Sequence, residues 1–240
     1  MSPIRRSHSR GVLSAVAAVL AVAAAVLLTV AMRSQQHAPQ PPASAAHPAA
    51  EQDLSPSHPA TPSPKTNTSE ATPKPPTPRI VGPVLPRSRP IALDVPSIGI
   101  SNAHLVGYGL DEHGSIAIPP SQAHTPPGWY TGSPTPGQAG PSVIVGHVDS
   151  NSGPSIFFRL GQLRAGDKVS VTLADHTVAV FSIDSVERFA KSTFPTLRVY
   201  GNINHAGLRL ITCGGPYDMS IHHYTDNIVV YAHLVSSHPA

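Results

Sequence analysis

The stretch Asp167–Val186, DKVSVTLADHTVAVFSIDSV, decides the fold class. Apolar and polar residues alternate through Val169–Leu173 and, less strictly, through Val178–Val186, with turn-type residues Ala174–His176 between them. Side chains two apart share one face of an extended chain, so the pattern predicts two half-buried strands around a turn. Working outward, PIALDVPSIGIS (90–101), SIAIPP (115–120), PSVIVGHVD (141–149), GLRLITC (207–213) and NIVVYAHLV (227–235) are further short runs rich in β-branched residues. Glycine and proline punctuate them. Eight or so short strands, with few amphipathic helical patterns, predict an all-β domain whose antiparallel sheet is closed or sandwiched; a barrel leaves no exposed edge to aggregate. The segment GPSIFFRLGQLRAGDKV (153–169) predicts a short helical turn, then a loop at Ala165–Asp167.

The rest of the chain is organised differently. Gly11 to Met32 is apolar except for Ser14 and Thr29, and as a helix it is long enough to cross about 30 Å of hydrocarbon. A cleaved secretory signal competes with this reading, but a signal's apolar region is typically about 7–15 residues. Arg5, Arg6 and Arg10 precede the run and Arg33 alone follows it closely, which favours an N-terminus in the cytoplasm. Residues 33–79 are rich in Pro, Ala, Ser and Thr and carry almost no large apolar side chains. Such a segment buries too little surface to offset its ordering entropy. The expected organisation is a basic cytoplasmic start (1–10), a single-pass membrane anchor (11–32), a disordered spacer (33–79) and one extracellular folded domain (80–238). The net charge of +3, with 12% charged residues and no dense basic patch in the domain, does not point to nucleic acid.

Cys213 is the only cysteine, so no intramolecular disulfide is possible and the thiol is either an inert buried hydrophobe or reactive. Thiol chemistry requires a base or cation near the sulfur. His147 follows the apolar run Val143–Val145 and Gly146, just as Cys213 follows LRLIT and precedes Gly214–Gly215. Two reactive residue types at the ends of two buried strands suit a site on a rigid scaffold. The glycines after Cys213 let a substrate backbone approach, and free amides there are candidate oxyanion donors. If both residues are structural instead, the chain is a non-catalytic β-domain that binds cell-surface material. Asp149 either orients the imidazole or caps the turn after the strand. His205, His222 and His223 suggest zinc only weakly, because adjacent histidines of a strand face opposite ways and no carboxylate or cysteine cluster completes a set. No metal or cofactor is expected.

At these residues the sequence resembles the sortases, in particular the class F-like sortases of actinobacteria. The resemblance covers roughly residues 80–235 and rests on PSIGIS, PPGWYTGSPTPGQAGPSVIVGHVDS, FFRLGQLRAGDKVSV, LRLITCGG and HHYTDNIVVYAHL, in the family's order. It implies an eight-stranded β-barrel and a cysteine transpeptidase that cuts a Leu-Pro-x-Thr-Gly-like sorting signal and transfers the acyl group to an amine. Cys213 is then the nucleophile that forms a thioacyl enzyme. His147 is the acid that protonates the departing amine and later the base on the incoming one. The implied partners are surface proteins bearing the signal and an amine acceptor on the cell wall or a pilin. The family also uses an arginine near the start of the last strand, and here the sequence departs: no arginine lies between Cys213 and Ala240, and Thr225, Asp226 and Asn227 stand there. Arg209, which has the parity to share a face with Cys213, and Asn227 are the candidates for its role. An L,D-transpeptidase would also pair cysteine with histidine, but its glycine precedes the cysteine, whereas ITCGG places it after.

Overall fold

The computed structural model describes residues 38–41, 79–122 and 125–240. The expected cytoplasmic start and membrane anchor, and nearly all of the spacer, lie outside the described residues. Among the described residues no helix is long and apolar enough to cross a membrane. Chain contacts separate Met1–Ala38 from Pro39–Ala240, and the folded domain belongs to the second unit.

Two strands do form in the opening stretch: β8 (Lys168–Leu173) and β9 (Thr177–Ala190) pair antiparallel around Ala174–His176. His176 takes a positive φ of 64° and donates its amide to the Leu173 carbonyl at 3.0 Å, while the Asp175 carboxylate accepts from the Thr177 amide at 3.0 Å. A short polar side chain bonding its own backbone is the usual reason Asp stands in such a turn.

The other strands are β1 (Pro90–Val95), β2 (Ile100–His104), β3 (Val106–Tyr108), β4 (Gly128–Tyr130), β5 (Gly140–Val145), β6 (Asp149–Ser150), β7 (Gly153–Pro154), β10 (Ala206–Asp218) and β11 (His223–Pro239). Strands β6 and β7 form a separate two-stranded hairpin, and the remaining nine make one sheet in the order β2-β1-β8-β9-β11-β10-β5-β4-β3. The two edge strands, β2 and β3, are joined by Leu105 alone, which is fully buried and donates to the Ile91 carbonyl at 2.9 Å. One run of chain therefore serves both edges of the sheet and closes it. Counted as a single strand broken at Leu105, β2 and β3 reduce the nine segments to the eight of an all-β barrel. Closure removes the free edges of a long sheet.

Period-two geometry then sorts side chains onto two layers. Ile144 of β5, Leu208 and Leu210 of β10, and Ile228 and Val230 of β11 point into the barrel and pack with Leu93, Phe157, Val171 and Phe181. Their neighbours Val143, Val145, Ile211, Val229 and Tyr231 form a second cluster on the outer face with Tyr108 and Val199. Strand β5 is buried on every residue, as expected of a strand in a parallel pair covered on both faces. The outer cover includes the short helix α1 (Thr196–Tyr200), which supplies Val199.

Two departures from the sequence reading bear on the site. SIAIPP is not a strand. It makes one isolated bridge, Leu110 to Ile116, and Ile116 and Ile118 instead pack onto the outer cluster. Pro119 and Pro120 have no N–H to give a ladder, so the chain stays a loop. GWY at 128–130 does form a strand, β4, too short for its periodicity to show in sequence. The turn in the 153–169 segment is a 3-10 helix at Leu160–Gln162, followed by a bend in which Arg164 and Asp167 bond each other's backbone region.

Candidate active site

The site is built by one parallel pairing. Strands β5 and β10 run side by side from Gly140 opposite Ala206 to Val145 opposite Ile211, and the Gly146 amide still donates to the Ile211 carbonyl at 3.1 Å. Neighbouring strands lie about 5 Å apart. His147 and Cys213 are each two residues beyond the last partners, Val145 and Ile211, and share their outward parity. The two sequence-predicted residues thus leave the sheet at the same edge and on the same face, and both are half-buried. Substituting Gly146 would not be tolerated quietly: a Cβ there would fall 2.7 Å from the Phe157 ring.

The imidazole is oriented by the loop that failed to become a strand. His147 Nε2 lies 2.8 Å from the Pro119 carbonyl oxygen. A carbonyl only accepts, so Nε2 carries a proton and Nδ1 is the nitrogen left for chemistry in either charge state. Asp149, expected either to orient the imidazole or to cap the turn, does neither. Its carboxylate accepts from the Tyr224 hydroxyl and ties β6 to the start of β11. Burial, followed by that carboxylate, pushes the Tyr224 phenol's pKa well above its ordinary value.

On the other side of Cys213 stands β11. Asn227 is the direct cross-strand partner of Cys213, and Phe189 of β9 is the partner of Asn227, so the three form one row across the outer face. Asn227 therefore stands beside the thiol. Arg209 does not: it pairs with Tyr231 four residues up the strand, about 13 Å along it. Its guanidinium stacks over the Tyr231 ring at 4.6 Å and bonds the Leu208 carbonyl at 3.1 Å. Burial lowers its pKa, against the opposing pull of Tyr231 and Asp184. Arg188 of β9 is held by Asp226 at 3.3 Å.

Sequence reasoning also misses a residue that the structure places at the sulfur. The Lys191 ammonium, from the 3-10 turn Lys191–Thr193 that ends β9, lies 3.6 Å from Cys213 Sγ. No local motif marks it; its parity with Phe189 is the only sequence signal, and that is meaningful only once β9 is known to flank β11.

Gly215 takes a positive φ of 73° and donates its amide to the side-chain oxygen of Gln40 at 3.1 Å. Pro39, Gln40 and Pro41 thus lie against the domain. A methyl at Gly161 would come 2.1 Å from the Pro39 carbonyl oxygen, and one at Gly214 would come 3.4 Å from Gln40 Oε1. An amide-type oxygen seated on an N–H two residues past Cys213 shows that this amide can hold a carbonyl.

Among the described residues no cluster of three or more metal-ligating groups exists, and His205, His222 and His223 do not gather. An open cavity of about 520 Å³ lies at the opposite end of β10, lined by Val81, Asp184, His205, Ala206 and His233, and takes no part in the arrangement around Cys213.

Among solved structures, Listeria monocytogenes sortase A is similar at 16% identity over 65% of this chain and 92% of its own, with a TM-score of 0.47. Streptococcus pneumoniae sortase C is similar at 18% identity over 63% and 70%, also with a TM-score of 0.47. A variant of Streptomyces avermitilis sortase E is similar at 21% identity over 65% and 93%, with a TM-score of 0.46. Comparison with curated proteins returns no match. The sortase domain model matches residues 93–235, which spans nearly all of the barrel together with both His147 and Cys213: the chain belongs to the sortase family.

Proposed function

We propose that this protein is a membrane-anchored extracellular cysteine transpeptidase, of the class F-like kind, that cleaves a Leu-Pro-x-Thr-Gly-like sorting signal and transfers it to an amine at the cell surface. The observation that carries the reading is the parallel register of β5 and β10, which brings His147 and Cys213 out at one edge on one face. The Cys213 thiolate attacks the carbonyl carbon of the scissile bond. A tetrahedral oxyanion forms and collapses as the C–N bond breaks, and His147 gives its Nδ1 proton to the leaving amine. An incoming amine then loses a proton to the neutral Nδ1, attacks the thioester carbonyl and expels the thiolate. Nε2 keeps its proton and donates it in a hydrogen bond to the Pro119 carbonyl throughout, so the ring has no need to turn between the two steps. A thioester suits aminolysis, and an amine held in place competes with water through its high effective concentration. The Gly215 amide is a ready hydrogen-bond donor for carbonyl oxygen at this edge. The apolar run 11–32 and the proline-rich segment after it support an anchored domain held away from the bilayer.

The test is to incubate the full chain with Leu-Pro-x-Thr-Gly-like peptides and an amine, and to follow both the transpeptidation product and a thioacyl adduct at Cys213 by mass. Cys213→Ala should abolish both with the fold intact, and His147→Ala should remove nearly as much turnover. Turnover that survives in Cys213→Ala would refute the mechanism. A native thiol that alkylates slowly and takes no acyl group from any peptide would return the domain to a surface-binding role.

A further inference from the structure

We propose that Lys191 is a catalytic residue, the one that supplies positive charge to the Cys213 thiolate and to the oxyanion built beside it. The inference rests on the transpeptidase reading above and adds a group to it. Acyl transfer at a thiol places negative charge first on sulfur and then on the carbonyl oxygen two bonds from it, and a cation held at that point stabilises both.

Each charged group around the thiol can be assigned. The strand position opposite Cys213 is Asn227, which is neutral. Arg209 is stacked on Tyr231 four residues away. Arg188 is paired with Asp226. Asp149 is bound to the Tyr224 hydroxyl. His147 bonds the Pro119 carbonyl through Nε2. Lys191 remains, with its Nζ 3.6 Å from Sγ, and among the described residues no carboxylate forms an ion pair with it.

Topology explains how a side chain two strands away reaches the sulfur. Strand β9 ends at Ala190 opposite Asp226, and Asp226 is itself opposite Gly214. Lys191 therefore starts about two strand spacings, roughly 10 Å, from Cys213. It shares parity with Phe189, whose row across the outer face is Phe189, Asn227, Cys213. Its flexible four-carbon stem is long enough to span that gap, and its ammonium lies 3.6 Å from Sγ.

Local charge at Cys213 can be read without any peptide substrate. Iodoacetate is an anion and iodoacetamide is neutral, and both alkylate the same thiolate. Their rate ratio therefore cancels the thiolate fraction and reports the field at the sulfur. A cation near 4 Å in a solvent-exposed setting favours an anion by about fivefold. Lys191→Met, which keeps the length of the stem, should lower the iodoacetate-to-iodoacetamide ratio by about that factor. It should also cost about 10²-fold in kcat/KM of transpeptidation, the scale of losing one oxyanion donor. Lys191→Arg should keep most of both. Adding Asn227→Arg to Lys191→Met should restore the ratio, because that position faces Cys213 across the ladder. If Lys191→Met leaves the alkylation ratio unchanged, Lys191 supplies no field at the sulfur and the proposal is wrong, whatever happens to turnover. A fall in the ratio in a protein that turns over no sorting peptide would keep the Lys191 cation and sink the transpeptidase reading instead.

Discussion

Replacing Arg198 with methionine should unsettle the wall of the site through a carboxylate that is not itself in it. Glu187 of β9 points to the outer face with its side chain only 4% exposed. One of its oxygens accepts from Arg198 Nη2 at 2.6 Å and from the Ser185 hydroxyl at 2.8 Å. Arg198 lies on α1, and its guanidinium also sits over the rings of Phe189 at 5.6 Å and Tyr231 at 5.1 Å. It is therefore the pin that holds α1, and with it the segment after Lys191, onto β9 and β11. Removing one partner of a buried pair typically costs about 3–5 kcal/mol, because the remaining charge keeps its desolvation penalty. Arg198 is itself about a third exposed and Glu187 keeps the Ser185 bond, so the lower end applies, about 3 kcal/mol. For a domain of this size that is a loss of about 6–12 °C in Tm.

Trp129 is the only tryptophan and is buried in the barrel, so its fluorescence during urea unfolding reports the domain alone. Arg198→Met should lower the midpoint. Arg198→Met with Glu187→Leu, which removes both charges, should recover most of the loss, since an apolar pair of similar volume is often no worse than the ion pair. The reasoning fails if the double variant is as unstable as the two single losses added together, or if Arg198→Met costs less than about 1 kcal/mol.

Tyr231 and Tyr224 should resist ionisation in alkaline difference spectra. Burial, partly offset by Arg198, pushes the Tyr231 pKa up to about 12. An unfolded tyrosine ionises near pH 10, so the folded state keeps a proton that the unfolded state has lost, and stability should fall between about pH 10 and 12. Tyr231→Phe should lessen that fall in urea midpoints, and an unchanged slope would count against it. His205 works in the opposite direction: burial, then Arg209, lowers its pKa, so stability should decline as pH drops below about 6.5, and His205→Gln should reduce the decline. Gly161→Ala should lift residues 39–41 from the domain, given the 2.1 Å approach of the Pro39 oxygen, and should speed alkylation of Cys213 by a bulky maleimide. An unaltered rate would mean those residues do not screen the thiol. Tyr224→Phe should cost about 1–2 kcal/mol by leaving the Asp149 carboxylate without its donor, measured again by urea unfolding.

Much of the barrel is readable from sequence because its long strands obey period two on a closed sheet. Leu208, Leu210, Ile228 and Val230 fill the barrel, while Ile211, Val229 and Tyr231 fill the outer cluster, and no helix competes for those positions. SIAIPP misleads because Ile116 and Ile118 alternate for a different reason: both cover the outer cluster from a loop, which satisfies the same hydrophobic pattern without a ladder. The placement of Cys213 and His147 at strand ends is legible since each closes an apolar run beside glycine. The cation is not legible. The family resemblance directs the search for an arginine to the last strand, whereas Lys191 reaches Sγ from a different strand's end. Contact across non-consecutive strands is a property of sheet order, which no window of sequence contains.

Sheet order also accounts for why so many polar groups meet at one edge. Because β5 and β10 are parallel, both finish there, and they deliver His147 and Cys213. Strand β11 is antiparallel to β10, so it begins there, and its first residues bring Tyr224, Asp226 and Asn227 alongside. Strand β9 is antiparallel to β11 and so runs with β10, and it finishes at the same edge with Arg188 and Lys191. Strand ends are free of the ladder's demand for alternating apolar side chains, so polar residues cost little there and can be exchanged one for another. A charge can then move from one strand's end to its neighbour's without altering the barrel beneath. In this chain the position facing Cys213 is Asn227, and the positive charge at the sulfur comes from the adjoining strand's last turn. A single arginine at residue 227 should stand in for Lys191 only when the lysine is removed. With both present, the Asn227→Arg variant places two cations over one thiol and should gain nothing in kcat/KM. A clear gain in that single variant would show that Lys191 does not already fill the role.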